Sequence, residues 1–351
     1  FDSAGQVTIR NTVTPGSVLA TTSGNVTFLG TGMIAGAGSL TMSGSGTLTM
    51  NTSNSYSGGT VLTAGRLVAG GGLSFGSSAI SLQGGILDLN GKSVANALNV
   101  RGTGTLMNAR AFRGTLTAIY GTLSISGVAQ AASLVVDGGN VSGGSLSADA
   151  YELRSGNVGT VLTGLAGLSK TGTGTATLSG TQLYSGTTVV EAGKLVLSGN
   201  SSIVSDVNVQ SGGIFAMQGK ALGDLNIHSG GRLDLTGNTD WVLENGNSLN
   251  AGRTGTAAVD ISGNLKMGQG GEIHVADSAV GKMTIDGDLV LGGGTLCYTS
   301  AGGILDLVDV KGTLSVTEQT MVDIDVTLTR DGTYTLLTYG GLAGELNLLG
   351  V

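Results

Sequence analysis

Four aspartates are spaced in a way that could support chemistry. Asp286 and Asp288 stand two residues apart, as do Asp323 and Asp325, and residues two apart share one face of a β-strand. Two carboxyls on one face suit acid–base hydrolysis of a glycosidic bond, and they are also the start of an oxygen cage for Ca²⁺. The same spacing describes a solvated outer face, because Met283, Ile285, Leu289 and Leu291 claim the inner one. That plainer reading is preferred, since the regular Gly-Gly-x-Gly-x-Asp of a calcium roll is absent.

Other chemistry-bearing residues are sparse. Gly72-Leu73-Ser74-Phe75-Gly76 matches the letters of a serine-hydrolase elbow, but no strand-to-helix turn surrounds it. The histidines, His228 and His274, each fall within a strand-like run, and with the single Cys297 they give no ligand spacing for a transition metal. Cys297 itself, in Gly294-Thr295-Leu296-Cys297-Tyr298, reads as an inert strand thiol, and without a partner it staples nothing. Trp241, next to Asp240, is either a sugar platform or a packing residue. Threonines such as those in residues 171–177 are too scattered for an ice-binding face, and no phosphate loop exists. No catalytic, cofactor-binding or metal residue is assigned, and no cofactor is expected.

The elements that would position such residues are strands. Runs of three to six residues with alternating apolar positions recur throughout, at 7–9, 24–29, 39–42, 47–50, 60–62, 66–68, 79–82 and 86–89. Each ends at Gly, Asn or Ser, and two-residue hairpin turns are largely missing, so consecutive strands turn corners rather than fold back. Helical turns are conceivable only at 92–100 and 128–134.

Composition agrees. Of 351 residues 65 are Gly and one is Pro, with 40% hydrophobic, 4% aromatic and 11% charged. Glycine without a period of three excludes collagen, and the aliphatic content argues against disorder. A narrow core with one aliphatic layer per coil needs few aromatic or charged residues; a compact α/β enzyme or an antiparallel sandwich needs more. The net charge of −7 is concentrated late, with 8 Lys/Arg against 18 Asp/Glu in residues 176–351. An acidic balance disfavours nucleic acid and anionic lipid surfaces. No apolar run approaches transmembrane length, so no membrane insertion by this segment is expected. The start, Phe1-Asp2-Ser3-Ala4, carries neither an initiator Met nor a signal-peptide pattern, as in a processed or cut chain.

A duplication organises the whole. Residues 44–68 (GSGTLTMNTSNSYSGGTVLTAGRLV) recur as 172–196 (GTGTATLSGTQLYSGTTVVEAGKLV), a constant offset of 128 that continues from Gly84-Gly85-Ile86 to Gly212-Gly213-Ile214 and from Gly91-Lys92 to Gly219-Lys220. An ungapped offset implies duplicated structure separated by a whole number of coils. Tyr56 and Tyr184 occupy equivalent positions, which favours a structural role over a corner glycine.

The pattern G-x-G-T-x-T-[ML], then Y-S-G-x-T-V, then A-G-[RK]-L-V resembles the passenger-associated repeat of bacterial autotransporters. That resemblance implies a right-handed parallel β-helix (β-solenoid) displayed outside the cell, in an all-β chain. The expected organisation is a β-helix over 1–320, with the duplicated repeat at 44–92 and 172–220, followed by a C-terminal capping region over 321–351. The cap is read as an antiparallel hairpin. Val322, Ile324, Val326 and Leu328 alternate with Asp323, Asp325, Thr327 and Thr329, and Asp331-Gly332 supplies a turn before 333–339.

The resemblance further implies a surface-exposed or secreted structural and adhesive rod, held at the bacterial outer membrane through a segment not in this chain. Its partners would be host or bacterial surface glycans and proteins, or other copies of itself. The alternative is a β-helix polysaccharide lyase or hydrolase.

Overall fold

Successive copies of the alternating Leu-x-Leu pattern lie one above another in parallel register. The structure, a computed structural model, describes residues 1–239, 241–252, 258–276, 280–301, 304–325 and 333–350. The chain forms two compact units, Phe1–Ala166 and Gly167–Val351.

In Phe1–Ala166 one sheet stacks Ser17–Ala20, Ser39–Met42, Thr60–Leu62, Ile80–Leu82, Leu98–Val100 and Thr115–Ala118, then the first half of Ser133–Ser142 and of Tyr151–Val158. A second stacks Gly5–Thr8, Asn25–Leu29, Thr47–Met50, Arg66–Ala69, Ile86–Asp88, Thr103–Met107 and Thr122–Ser126. A third adds Val128–Ala131, Ser145–Ala148 and Val161–Gly164. Val18 pairs with Leu40, 22 residues on, whereas Leu116 pairs with Leu134, 18 on, so the coil tightens along the unit. At the tight end the corner is absorbed into a bent strand, where the register slips around Asp137.

Gly167–Val351 repeats the plan. Its first sheet runs from Leu168–Lys170 through Thr188–Val190, Val207–Val209, Leu225–Ile227, Ser248–Ala251, Glu272–His274 and Thr295–Ala301 to Thr320–Asp325. Here the coil widens: Val207 pairs with Leu225, 18 on, and Leu296 with Val322, 26 on.

Inward columns such as Leu48, Leu67, Leu87, Leu106 and Ile125 are buried and in register. Each fully buried leucine contributes about 1.5–3 kcal/mol, which is how a core one layer wide holds together. Corner glycines make the close stacking possible. Gly65 (φ 72°) and Gly193 (φ 67°) both turn left-handed, and a Cβ at either would come within 2.6 Å of the carbonyl oxygens of Gly44 and Gly46, or of Gly172 and Gly174.

One expectation needs correction, and another falls partly outside the described residues. Residues 92–100 and 128–134 hold no helical turn; Leu98–Val100 and Val128–Ala131 are strands that bury alternate side chains. The antiparallel hairpin expected after residue 320 is not formed by the described strands. Thr320–Asp325 has parallel neighbours on both edges, Thr295–Ala301 and Leu348–Gly350, and Leu337–Ala343 pairs in parallel with Leu307–Glu318. On the second of these edges the pairing covers Thr320–Val322. The expected turn Asp331-Gly332, together with Val326 and Leu328, lies outside the described residues. An antiparallel pair does occur earlier, where Ser300 and Ala301 face Leu305 and Ile304.

Candidate binding surface

The repeat motif proves to be internal machinery. Tyr56 is buried, and its hydroxyl shares a 2.7 Å hydrogen bond with the Thr60 hydroxyl across the corner Ser57-Gly58-Gly59. Tyr184 and Thr188 do the same at 2.6 Å. Burial pushes the Tyr56 phenol well above its ordinary pKa, so it stays a neutral donor. Gly58 is required because a Cβ there would lie 2.6 Å from the carbonyls of the preceding coil. Tyr56 also packs over Gly76, whose added Cβ would meet the tyrosine ring at 2.8 Å. Y-S-G-x-T is thus a clasped corner.

Ser74, in the hydrolase-like letters, is fully buried and donates its hydroxyl to the Met50 carbonyl at 2.7 Å while accepting from the Gly71 N–H at 2.9 Å. It staples a corner. Asp286 and Asp288 do not share a strand face, because Gly287 between them forms the corner after Lys282–Ile285. Asp288 is committed to the backbone of the next coil, accepting the Thr313 N–H at 2.7 Å. Asp323 and Asp325 do share an exposed face, in register with Cys297 and Thr299.

His274 lies outward beside Cys297 and meets Glu272 at 3.1 Å, whereas His228 stands just past Leu225–Ile227. Among the described residues no three His, Cys, Asp or Glu side chains gather as a metal site. Trp241 is only 8% exposed and donates its indole N–H to the Ala221 carbonyl at 3.2 Å, which removes it as a stacking platform for sugar.

The outward columns are polar and bonded along the stack. Asn226 donates to Asn208, and Asn250 to Asn226, both at 2.8 Å, forming an amide ladder on the first sheet. Where Leu307–Glu318 stacks on Lys282–Ile285, Asp309 takes Lys282 at 2.5 Å and Lys311 at 2.6 Å, and these two ammonium groups hold its carboxyl well below the usual carboxylate range. Asp88 is nearly buried. Burial works against its charge, but Arg66, Asn108 and the Asn90 N–H outweigh that and keep its pKa low. Most of these groups are already paired, so this surface offers repeated shallow contacts rather than convergent reactive groups. A hollow of about 810 Å³ beside the first coil is lined chiefly by apolar residues such as Val7, Ile9, Val18 and Phe28.

The sequence signals for much of this were present. Lys170 was missed, although it stands where the earlier copy has Met42.

Comparison with known proteins gives concordant matches. Residues 35–69 and 168–197 match the passenger-associated-transport-repeat family. The chain is 29% identical over 216 residues to the adhesin BmaC autotransporter of Brucella suis, covering 58% of the chain and 5% of that protein. It is 32% identical over 143 residues to the Neisserial autotransporter lipoprotein NalP of Neisseria meningitidis serogroup B, covering 40% of the chain and 11% of that protein. The chain therefore spans only a small part of the length of either relative. No solved structure matches it.

Proposed function

From the two matches to the passenger-associated-transport-repeat family and the autotransporter relatives, we propose that this chain is a stretch of passenger β-solenoid at the cell surface or secreted, and that it is a structural and adhesive element rather than an enzyme. Contact with other cells, with matrix or with further copies is made through many outward side chains. The observation that carries this reading is the run of registered polar columns, exemplified by the half-buried Asn208 and Asn250, which the buried Asn226 links by hydrogen bonds. A ladder of equivalent groups suits distributed binding, in which weak contacts sum over a long surface. The adhesin named among the relatives supports the same reading.

The rival is polysaccharide cleavage. Its best candidates, Asp286 and Asp288, flank a glycine corner, and one of them is spent on backbone. The test is to immobilise the purified segment and measure capture of bacterial and host cells, while assaying it against a panel of polysaccharides. Capture without turnover is expected. Turnover abolished by Asp286→Asn or Asp288→Asn would replace the adhesive reading with the enzymatic one.

A further inference from the structure

The corners after the second sheet of Phe1–Ala166 leave a polar cleft with chemistry of its own. The strand ends Asp88, Met107 and Ser126 are in register on successive coils. Beyond them the chain turns left-handed at Asn90 (φ 48°), Asn108 (φ 52°) and Gly127 (φ 82°). The first two corners carry a side chain, whereas a Cβ added at Gly127 would meet nothing within 4 Å. Gly127 borders a hollow of about 440 Å³, lined also by Asn90, Asn108, Arg110, Ser126 and Val128 with a second glycine, Gly91. That volume lies within the range of small-ligand clefts.

Its donors and acceptors are unevenly committed. Asn108 spends its amide N–H on Asp88 at 2.8 Å, and Asn90 directs its own toward the Ala69 carbonyl at 3.4 Å. Their amide oxygens and the Ser126 hydroxyl have no hydrogen bond among the described residues, and Arg110 is exposed with no carboxylate partner. Lys92 follows on the same corner, and Arg113 is tethered to Ser93 at 3.2 Å. Residues 88–113 therefore hold Lys92, Arg101, Arg110 and Arg113 against Asp88 alone, which Arg66 already neutralises, in a chain whose net charge is −7. Val128, 46% exposed, supplies an apolar edge.

This set distinguishes between ligands. A bare phosphate or sulfate would be met by Arg110 but would bring only acceptors to two amide oxygens. A saccharide brings hydroxyls that donate to those oxygens, C–H groups that lie on Val128, and, if acidic, a carboxylate that fits the guanidinium fork. We propose that the cleft binds a short carboxylated saccharide of the uronic or sialic acid class, with Arg110 on the carboxylate and Asn90, Asn108 and Ser126 on the ring hydroxyls. The proposal rests on the adhesive reading and gives it one defined subsite.

The test uses the whole segment and calorimetric titration with sialyllactose, trigalacturonic acid and lactose. An acidic saccharide is expected to bind at least tenfold more tightly than lactose, with an affinity that falls as salt rises. Arg110→Ala is expected to weaken that binding at least tenfold. Gly127→Asn is expected to abolish it with an unchanged melting temperature, because Asn tolerates the left-handed backbone, as Asn108 does, and fills the hollow. Arg101→Ala, outside the cleft, is the control and leaves binding intact.

Equal binding by wild type and both cleft variants, or a preference for phosphatidylglycerol vesicles over every saccharide, would overturn the proposal. If cells are captured normally by both variants and no acidic saccharide binds, the subsite falls and the adhesive reading stands. If saccharide binding is lost in both variants but wild type captures no cells or matrix, the subsite stands and the adhesive reading falls.

Discussion

Lys170 occupies the place that Met42 holds 128 residues earlier, and both side chains are fully buried. The ammonium survives inside because three carbonyls receive it, those of Thr171 at 2.7 Å, Gly172 at 2.8 Å and Ala192 at 2.9 Å. Burial still penalises the charge and lowers its pKa from the ordinary lysine value.

The first prediction follows from that penalty. A lysine whose pKa is lower folded than unfolded loses its proton first in the folded state. Stability therefore rises with pH between the lowered value and the ordinary one. Below that window the cost is fully present. Lys170→Met, which copies the earlier repeat, is expected to be no less stable at pH 7 and to gain about 1 kcal/mol, as when buried charges give way to apolar residues. Denaturant midpoints of both proteins at pH 7 and pH 10 are the measurement: wild type gains on the variant as pH rises. A parallel response would show that Lys170 titrates normally.

The clasped corner gives a second prediction. Tyr56→Phe removes one partner of Thr60, which keeps its 3.2 Å bond to the Phe75 carbonyl, so the loss is about 1 kcal/mol. Thr60→Val instead strands the buried phenol and costs about 2 kcal/mol. The double variant loses less than the sum of the two, a coupling that a double-mutant cycle in urea reads directly. Additive losses would mean that the hydroxyls do not act as a pair.

Much of this fold is legible because strand alternation is local. Thr47-Leu48-Thr49-Met50 shows its buried side in four letters, and the offset of 128 places Tyr184, Thr188 and Gly193 on Tyr56, Thr60 and Gly65. What stays hidden is non-local. A strand, a turn and a strand at 321–339 read as a hairpin whose middle lies outside the described residues, and the sequence does not announce that Leu337–Ala343 stacks in parallel on Leu307–Glu318. Asp286 and Asp288 look like one strand face in the sequence because nothing local marks Gly287 as a corner. The offset itself bends near Gly84-Gly85, where Gly85 is left-handed in one copy but Gly212, one position earlier, in the other. The cleft beside Arg110 has no motif, since its walls come from three coils.

Inside and outside should differ sharply. Leu195 is fully buried between Ala176 and Phe215 in the stack, so Leu195→Asp places an unpaired carboxylate there and costs several kcal/mol, roughly 4. Asp325 is exposed, and Asp325→Ser should cost about 0.5 kcal/mol or less. Thermal melts of the two variants are the check, and similar midpoints would refute the assignment of faces.

The last prediction concerns the end at residues 321–351, proposed to shield the coils before it. In a solenoid each coil is held mainly by its neighbours. Here Val322 covers Leu296, Leu337 covers Val308, and Leu342 covers Leu314, each by parallel register rather than by a folded-back hairpin. A truncation after Thr320 removes all three covers and leaves the unpaired edges of Thr295–Ala301 and Leu307–Glu318 open to other chains. The truncated protein is expected to keep its β-rich spectrum, because the earlier coils retain their partners, but to associate and to refold more slowly. Light scattering and refolding from denaturant measure both effects. A truncated chain that stays monomeric and refolds at the parent rate would show that these residues shield nothing.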